Sequence, residues 1–256
     1  MQFHFIRSAT GILHYGGSNL LIDPMLNPAG TVPPVANTAN DQRNPTVDLP
    51  FGDATLAALL GTLDAVLVTH LHNDHWDARA VELLSKELPI FCQPQDEDRI
   101  RTSGFTQIYP VGAGREWRRI TIHRTPAQHG TGEIAQRMAP VSGFILRHPD
   151  EPSLYLAGDT IWYDGVATTL RREQPAVTIV NAGGARFLTG DPITMDAEDV
   201  IALCRAAPET SVVATHLEAL NHCLLTRAEL RAALDAAGLA GRVAIPADGD
   251  YLAFAR

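Results

Sequence analysis

The chain has 256 residues, 45% of them hydrophobic and 19% charged, which supplies a sizeable core and excludes the charge-rich, core-poor composition of a disordered chain. A net charge of −9 excludes a general affinity for phosphate backbones, so no nucleic-acid partner is expected. Of the 20 basic residues only Lys86 is a lysine, in a stretch that reads as exposed helix, which all but removes Schiff-base chemistry, and ten histidines against three cysteines point any metal site toward imidazole and carboxylate.

The N-terminus runs straight into strand-like sequence without a basic segment, apolar run and cleavage site, and nowhere do about 18 apolar residues follow one another, so neither a signal peptide nor a membrane segment is expected. Residues 2–23 read as two short strands with a turn at Gly16-Gly17-Ser18-Asn19, ending at Asp23-Pro24. From Pro24 to Pro50 the composition turns to Pro, Asn, Thr and Gly with little periodicity, predicting a pocket lid or rim rather than a linker, within a single domain over 1–256. A short helix over Asp53–Leu60 precedes a strand over Asp64–Thr69. Beyond a histidine-rich loop, Asp77 is placed to cap a helix over Ala78–Leu88.

Strands are predicted at 90–93, 107–111, 120–124, 141–147 and 153–157, with Arg147-His148-Pro149-Asp150 as a hairpin tip. Then the pattern alternates: helix 161–172, strand 176–180, helix 197–206, strand 211–214, helix 227–237, strand 242–246. This predicts mixed sheets with helices packed outside, and no internal repeat stands out. Cys92, Cys204 and Cys223 are odd in number and contain no CxxC, which argues against a disulfide framework and for a reducing, cytoplasmic home.

The run Thr69-His70-Leu71-His72-Asn73-Asp74-His75-Trp76-Asp77 lies where a buried strand has ended and a helix has not begun, a place from which several side chains can be aimed at one point. His70 and His72 can face the same side, while Asp74 and His75 turn with the chain toward a neighbouring point, so these ligands can serve two metal ions.

These residues resemble the metallo-β-lactamase superfamily, whose signature is His-x-His-x-Asp-His at a strand end, and the resemblance covers nearly the whole chain. It implies an α+β fold, a four-layer αββα sandwich of two mixed β-sheets with outer helices. It further implies that His129 in Ala127-Gln128-His129-Gly130, Asp159 in Gly158-Asp159-Thr160 and His216 in Ala214-Thr215-His216 complete a dinuclear site. His70, His72 and His129 would hold one ion and Asp74, His75 and His216 the other, with Asp159 on both. Zinc is the default, and manganese or iron also suits nitrogen and oxygen ligands without thiolate. The motif run looks closest to the branch that includes ascorbate-6-phosphate lactonase and N-acylphosphatidylethanolamine phospholipase D.

The implied activity is a metal-dependent hydrolase whose metal-bridging hydroxide cleaves an ester, lactone or related bond of a small molecule, with Asp74 orienting the nucleophile and His222 as a candidate proton donor. The alternatives are a phosphodiesterase on a small phosphoester and a catalytically silent metal-binding protein. Arginines around the pocket would favour the phosphoester and an apolar rim the lactone or ester. Trp76, Trp162 and Tyr163 are candidates for the pocket wall or, more commonly for such residues, the core. Arg186 is read as an exposed side chain or an anion holder, and Asp23 as an outer partner of a ligand histidine. Assembly into a homo-oligomer is compatible with this reading.

Overall fold

Residues 2–110 build one sheet and residues 115–244 a second, with one late strand returning to the first, in a computed structural model that describes residues 1–255. The first sheet takes β1 (Gln2–Arg7), β2 (Thr10–Tyr15), β3 (Ser18–Ile22), β4 (Ala65–Leu67), β5 (Ile90–Cys92) and β6 (Ile108–Pro110). The second takes β7 (Arg115–Trp117), β8 (Ile120–Pro126), β9 (Ser142–Arg147), β10 (Leu154–Leu156), β11 (Val177–Asn181), β12 (Ser211–Thr215) and β13 (Val243–Ala244). Strand β14 (Tyr251–Ala253) closes the first sheet by pairing antiparallel with β1, Phe3 opposite Leu252.

Both faces of each sheet are covered, and this explains why the strands read as continuous apolar runs. In the first sheet Phe3, Phe5, Leu13 and Tyr15 face inward against Ile122, Phe144 and Leu146 of the second. The alternate residues Ile6, Ile12 and Leu21 face outward, where α1 (Asp53–Leu60), α2 (Ala78–Leu83) and α3 (Glu97–Thr102) bury Leu56, Ala80 and Ile100 against them. The outer face of the second sheet is covered by α5 (Asp164–Glu173), α6 (Ala197–Ala206) and α7 (Arg227–Ala236), following α4 (Gly132–Met138) in the chain. The architecture is the expected αββα sandwich. Each fully buried Leu or Phe contributes about 1.5–3 kcal/mol, so the three apolar layers dominate the favourable side of folding. Across the central layer Tyr15 spans both sheets, its hydroxyl donating to the carbonyls of Leu146 (3.2 Å) and Pro152 (2.9 Å).

Several boundaries differ from expectation for local reasons. Residues 2–22 form three strands, because Ser8 takes a left-handed conformation (φ 56°) and turns the chain between β1 and β2. Helix α2 ends at Leu83, five residues early, since Leu84 is extended and turns into the outer core. Lys86 therefore lies beyond the helix, its ammonium over the Phe105 ring and donating to the Val81 carbonyl. The helix predicted from Ile161 starts at Asp164, and the last predicted strand shrinks to Val243–Ala244 because Arg242 belongs to a tight turn. Strands β7 and β14 and helices α3 and α4 were not foreseen; each is seven residues or fewer, too short for a period to show. The two sheets also repeat one another, each with three antiparallel pairings followed by three parallel ones, a symmetry of topology that leaves no trace in sequence. Asp77 caps α2 as expected, accepting from Ala80 N at 2.7 Å, and Thr226 opens α7 in a reciprocal capping box with Glu229.

Away from the strand ends, Asp96 is a buried carboxyl whose pKa burial lifts to about 6, against the opposing effect of a 3.0 Å hydrogen bond from Gln93. A folded pKa above the unfolded one means that stability falls as pH rises through the interval between them and that the full cost is present above about 6. Asp96→Asn is therefore expected to raise the urea unfolding midpoint at pH 8 and to leave it nearly unchanged at pH 4. Equal shifts at both pH values would show that burial of the charge is not the cause.

Candidate metal centre

The end of β4 and the ends of β8, β10 and β12 meet at one edge of the sandwich, and each delivers part of a His/Asp cluster. The 69–77 loop is folded by its own backbone, with the amides of His75 and Trp76 both donating to His72 O at 2.9 Å. Trp76 is buried against Phe105 and anchors the loop to the outer layer. Gly158 turns the chain after β10 with φ 68°; a Cβ there would stand 2.5 Å from the Ser142 carbonyl, so only glycine lets Asp159 point to the cluster. Gly183 is as restricted, since a Cβ would lie 2.2 Å from the carbonyl oxygen of His216. His216 itself is left-handed (φ 64°), and its amide donates to Ser8 O of the first sheet at 2.8 Å, tying the two sheets together at the cluster.

All seven residues expected as ligands come together. His70, His72 and His129 form one group and Asp74, His75, Asp159 and His216 a second, each group offering ligand atoms within 4.8 Å of one another. His70 Nε2 faces His72 Nδ1 at 2.9 Å, and His75 Nε2 faces His216 Nε2 at 3.2 Å. Asp159 Oδ2 lies between the groups, 3.2 Å from His129 Nε2, 3.3 Å from His75 Nε2 and 3.9 Å from His70 Nε2. Asp74 Oδ2 lies 3.3 Å from His216 Nε2 and 3.8 Å from His75 Nε2.

The outward nitrogens are occupied. His129 Nδ1 meets the Ile193 carbonyl at 2.7 Å, His75 Nδ1 meets Asp23 Oδ2 at 2.9 Å, His70 Nδ1 meets Thr69 Oγ1 at 3.0 Å, and His216 Nδ1 meets Cys223 Sγ at 3.3 Å. Such partners fix ring orientation and leave Nε2 facing inward. Asp23 thus takes the outer position expected of it, and also accepts from Thr69 N and Oγ1 at 2.7 and 2.8 Å. Asn181, which sequence reasoning missed, donates to Asp159 Oδ1 at 2.7 Å; its position at the end of β11, beside two ligand-bearing strands, was the available signal.

This donor set fits divalent metal. Five imidazoles and two carboxylates converge with donor atoms about 3–4 Å apart, and Asp159 lies between the two groups, a nitrogen and oxygen set without thiolate that suits zinc, manganese or iron. Burial opposes charge on His75, yet Asp159, Asp74 and Asp23 outweigh it and lift the imidazole to about 10. Burial and the neighbouring His75 and His72 hold His70 well below its ordinary value. Burial opposes the charges of Asp74 and Asp159, but His75 and His216 keep both carboxylates far below the usual range.

Beside the cluster opens a cavity of about 330 Å³. The 24–50 stretch supplies Val32, Pro33, Pro34, Val35 and Pro45 to its wall together with Asn27 and Asn44, and Asn73, Leu220, His222 and Asp74 of the cluster also line it. Among the described residues no arginine or lysine lines it. His222 is 7% exposed, its Nδ1 is buried without a partner, and burial lowers its pKa to about 4. The aromatic candidates lie elsewhere: Trp76 in the first sheet's outer layer, Trp162 and Tyr163 packed on the second's. Arg186 is half-buried in a separate groove with Asp196, Glu198 and Glu229, not in this cavity. All three cysteines are buried and free, and among the described residues no helix is long and apolar enough to cross a membrane.

The family described as "Beta-lactamase superfamily domain" matches residues 18–217. The UPF0173 protein YddR of Bacillus subtilis (strain 168) is 35% identical over 99% of this chain and 100% of its own length. Among solved structures, an isothiocyanate hydrolase from Delia radicum gut bacteria is 36% identical with a TM-score of 0.94, covering 100% of both chains. A chain described as a possible metal-dependent hydrolase from Veillonella parvula DSM 2008 is 36% identical, TM-score 0.94, covering 98% of each.

Proposed function

The chain belongs to the beta-lactamase superfamily and is a metal-dependent hydrolase, and we propose that it acts on small uncharged molecules by adding water to an electrophilic carbon. The observation that carries this is a cavity wall of prolines, valines, asparagines and Asp74 that contains no arginine or lysine. A phosphodiester arriving there would have no arginine or lysine to meet its charge, whereas an ester, a lactone or an isothiocyanate carries none. The isothiocyanate is favoured further by the 36% identical hydrolase of that name.

In this reading His70, His72 and His129 hold one divalent ion, Asp74, His75 and His216 a second, and Asp159 both, zinc before manganese or iron. Bound, such a pair supplies Lewis acidity and a water whose pKa is lowered toward neutrality. The chain's own part is placement. Asp74, at the boundary of cluster and cavity, accepts a hydrogen bond from the attacking water and orients it. The loop wall excludes bulk solvent from the apolar side group of the substrate. His222 lines the cavity with its imidazole kept neutral by burial, so its part is to hydrogen-bond the leaving heteroatom, whose protons come from the attacking water. For an isothiocyanate a C–O bond forms, nitrogen takes a proton, and C–N cleavage with a second proton gives the amine and carbonyl sulfide. For an ester or lactone the alkoxide oxygen takes the proton. The buried free thiols suit a reducing compartment, and cytoplasmic action goes with the proposal.

A hydrolysis panel tests it: alkyl and aryl isothiocyanates, lactones, carboxylic esters and phosphodiesters, each with added zinc and with added manganese. Turnover is expected on the carbon electrophiles and little on the phosphodiesters. Fastest turnover on a phosphodiester would overturn the assignment, and none on any class by metal-loaded protein would make the chain a silent metal-binding protein.

A further inference from the structure

The 24–50 stretch has almost no secondary structure, only the bridge between Val32 and Asn44, yet its middle is held by one buried side chain from a distant part of the chain. Asn221 is 2% exposed. Its Oδ1 accepts from the Val35 amide (3.0 Å) and from Asn44 Nδ2 (2.9 Å). Its Nδ2 donates to Thr38 Oγ1 (2.6 Å), to Asn40 O (3.0 Å) and to Val35 O (3.2 Å). The Asn221 backbone joins in, with its amide donating to Asn44 Oδ1 (2.8 Å) and its carbonyl accepting from Asn40 Nδ2 (2.9 Å). The backbone partners settle which way the side-chain amide points, because an N–H can only donate to Oδ1 and carbonyls can only accept from Nδ2. Every hydrogen-bonding position of this asparagine is in use.

Its place in the chain gives these bonds their meaning. Asn221 stands between Leu220 and His222, both of which line the cavity, and five residues after His216 of the cluster. The segments it grips adjoin Val32, Pro33 and Pro34, which line the same cavity. We propose that Asn221 is a specificity-determining positioning residue, latching the 35–44 stretch so that the width of the apolar half of the pocket, and thus the bulk of the uncharged side group admitted, is set by that latch. The proposal rests on the cavity being the substrate pocket. No other residue type repeats the contacts: Asp has no donors, Gln carries an additional methylene, and Ala leaves the half-buried Val35 amide without this partner.

The test uses the metal-loaded chain in four forms: wild type, Asn221→Ala, Asn221→Asp and Thr38→Val, which removes one of the five bonds of the Asn221 side chain, together with the Thr38 hydroxyl's contacts to the Val35 and Asn40 carbonyls (2.9 and 3.1 Å), and leaves Asn221 in place. Hydrogen exchange of residues 32–46 is expected to quicken about tenfold or more in the Asn221 variants and less in Thr38→Val, with β4 unchanged and metal content equal to wild type. With methyl and 2-phenylethyl isothiocyanate as a matched pair, the ratio of their kcat/KM values is expected to shift by about tenfold, through KM of the bulky member. Unchanged exchange over 32–46, or an equal fall in kcat for both substrates, would overturn the latch. If wild type hydrolyses neither compound, the proposed activity fails and the latch stands or falls on the exchange result. If Asn221→Ala does not fold, Asn221→Asp and Thr38→Val decide.

Discussion

Asp159→Asn is expected to purify with less than one metal ion per chain where wild type holds about two, and to lose about 10³-fold or more in kcat/KM, beyond the roughly 10–100-fold typical of an outer partner. The substitution keeps shape and removes charge, and the neighbours make it severe. Asn181 grips Oδ1 from the side, so the carbonyl of the new amide is held there and its NH2 is turned toward the Nε2 atoms that Oδ2 faces at 3.2–3.9 Å. An acceptor shared by both donor groups becomes a donor. Metal analysis of purified protein followed by assay with excess zinc checks this; full occupancy with normal turnover would remove Asp159 from the site. Metal uptake by the wild type is also expected to release protons, because Asp159, Asp74 and Asp23 favour the charged imidazole of His75 against its burial and a bound ion displaces that proton. Occupancy should accordingly fall as pH falls, which titration in buffers of different ionisation enthalpy will register.

The largest effect on stability is expected from Arg7→Ala, about 3–5 kcal/mol and a fall in Tm of about 10 °C. Arg7 is fully buried, and burial lowers its pKa to about 10 although Asp77, Asp248 and Asp48 oppose the shift. Its guanidinium forks to both ends of the 24–50 stretch, donating to Met25 O (2.8 Å) and Asn27 O (3.0 Å) at the entry and Val47 O (2.8 Å) at the exit. Alanine leaves these carbonyls without their partner and a void where the side chain was. Arg7→Lys is expected to recover only part, since one ammonium cannot span the fork. Thermal unfolding with metal present and absent separates the loop effect from the site; a loss under 1 kcal/mol in both would refute the clamp.

What could be read from the chain alone divides along physical lines. The seven residues that converge on the cluster were legible because metal chemistry demands a few residue types at strand ends, and the run from His70 to Asp77 concentrates four of them in one loop. The layers were legible because doubly covered strands are apolar throughout and α6 and α7 carry clear amphipathic periods and caps. Asn181, Asn221 and Arg7 were not, since each acts through partners that only the fold brings near: Asn221 lies 177 residues from Asn44 in sequence. The substrate was illegible for the same reason. The His-x-His-x-Asp-His run belongs to the shared chemistry of the superfamily and does not name a branch within it, whereas the pocket wall is built from prolines whose meaning depends on what holds them.

The pairing of β1 with β14 has a consequence for how the chain comes to exist. Gln2 and its partner Ala253 lie about 250 residues apart, so β1 keeps an open edge until β14 has been made. The donor groups mature on the same clock. His70, His72 and His129 are all present once β8 has been made, while His216 waits for β12, so a nascent chain can offer one three-histidine nest long before the second exists.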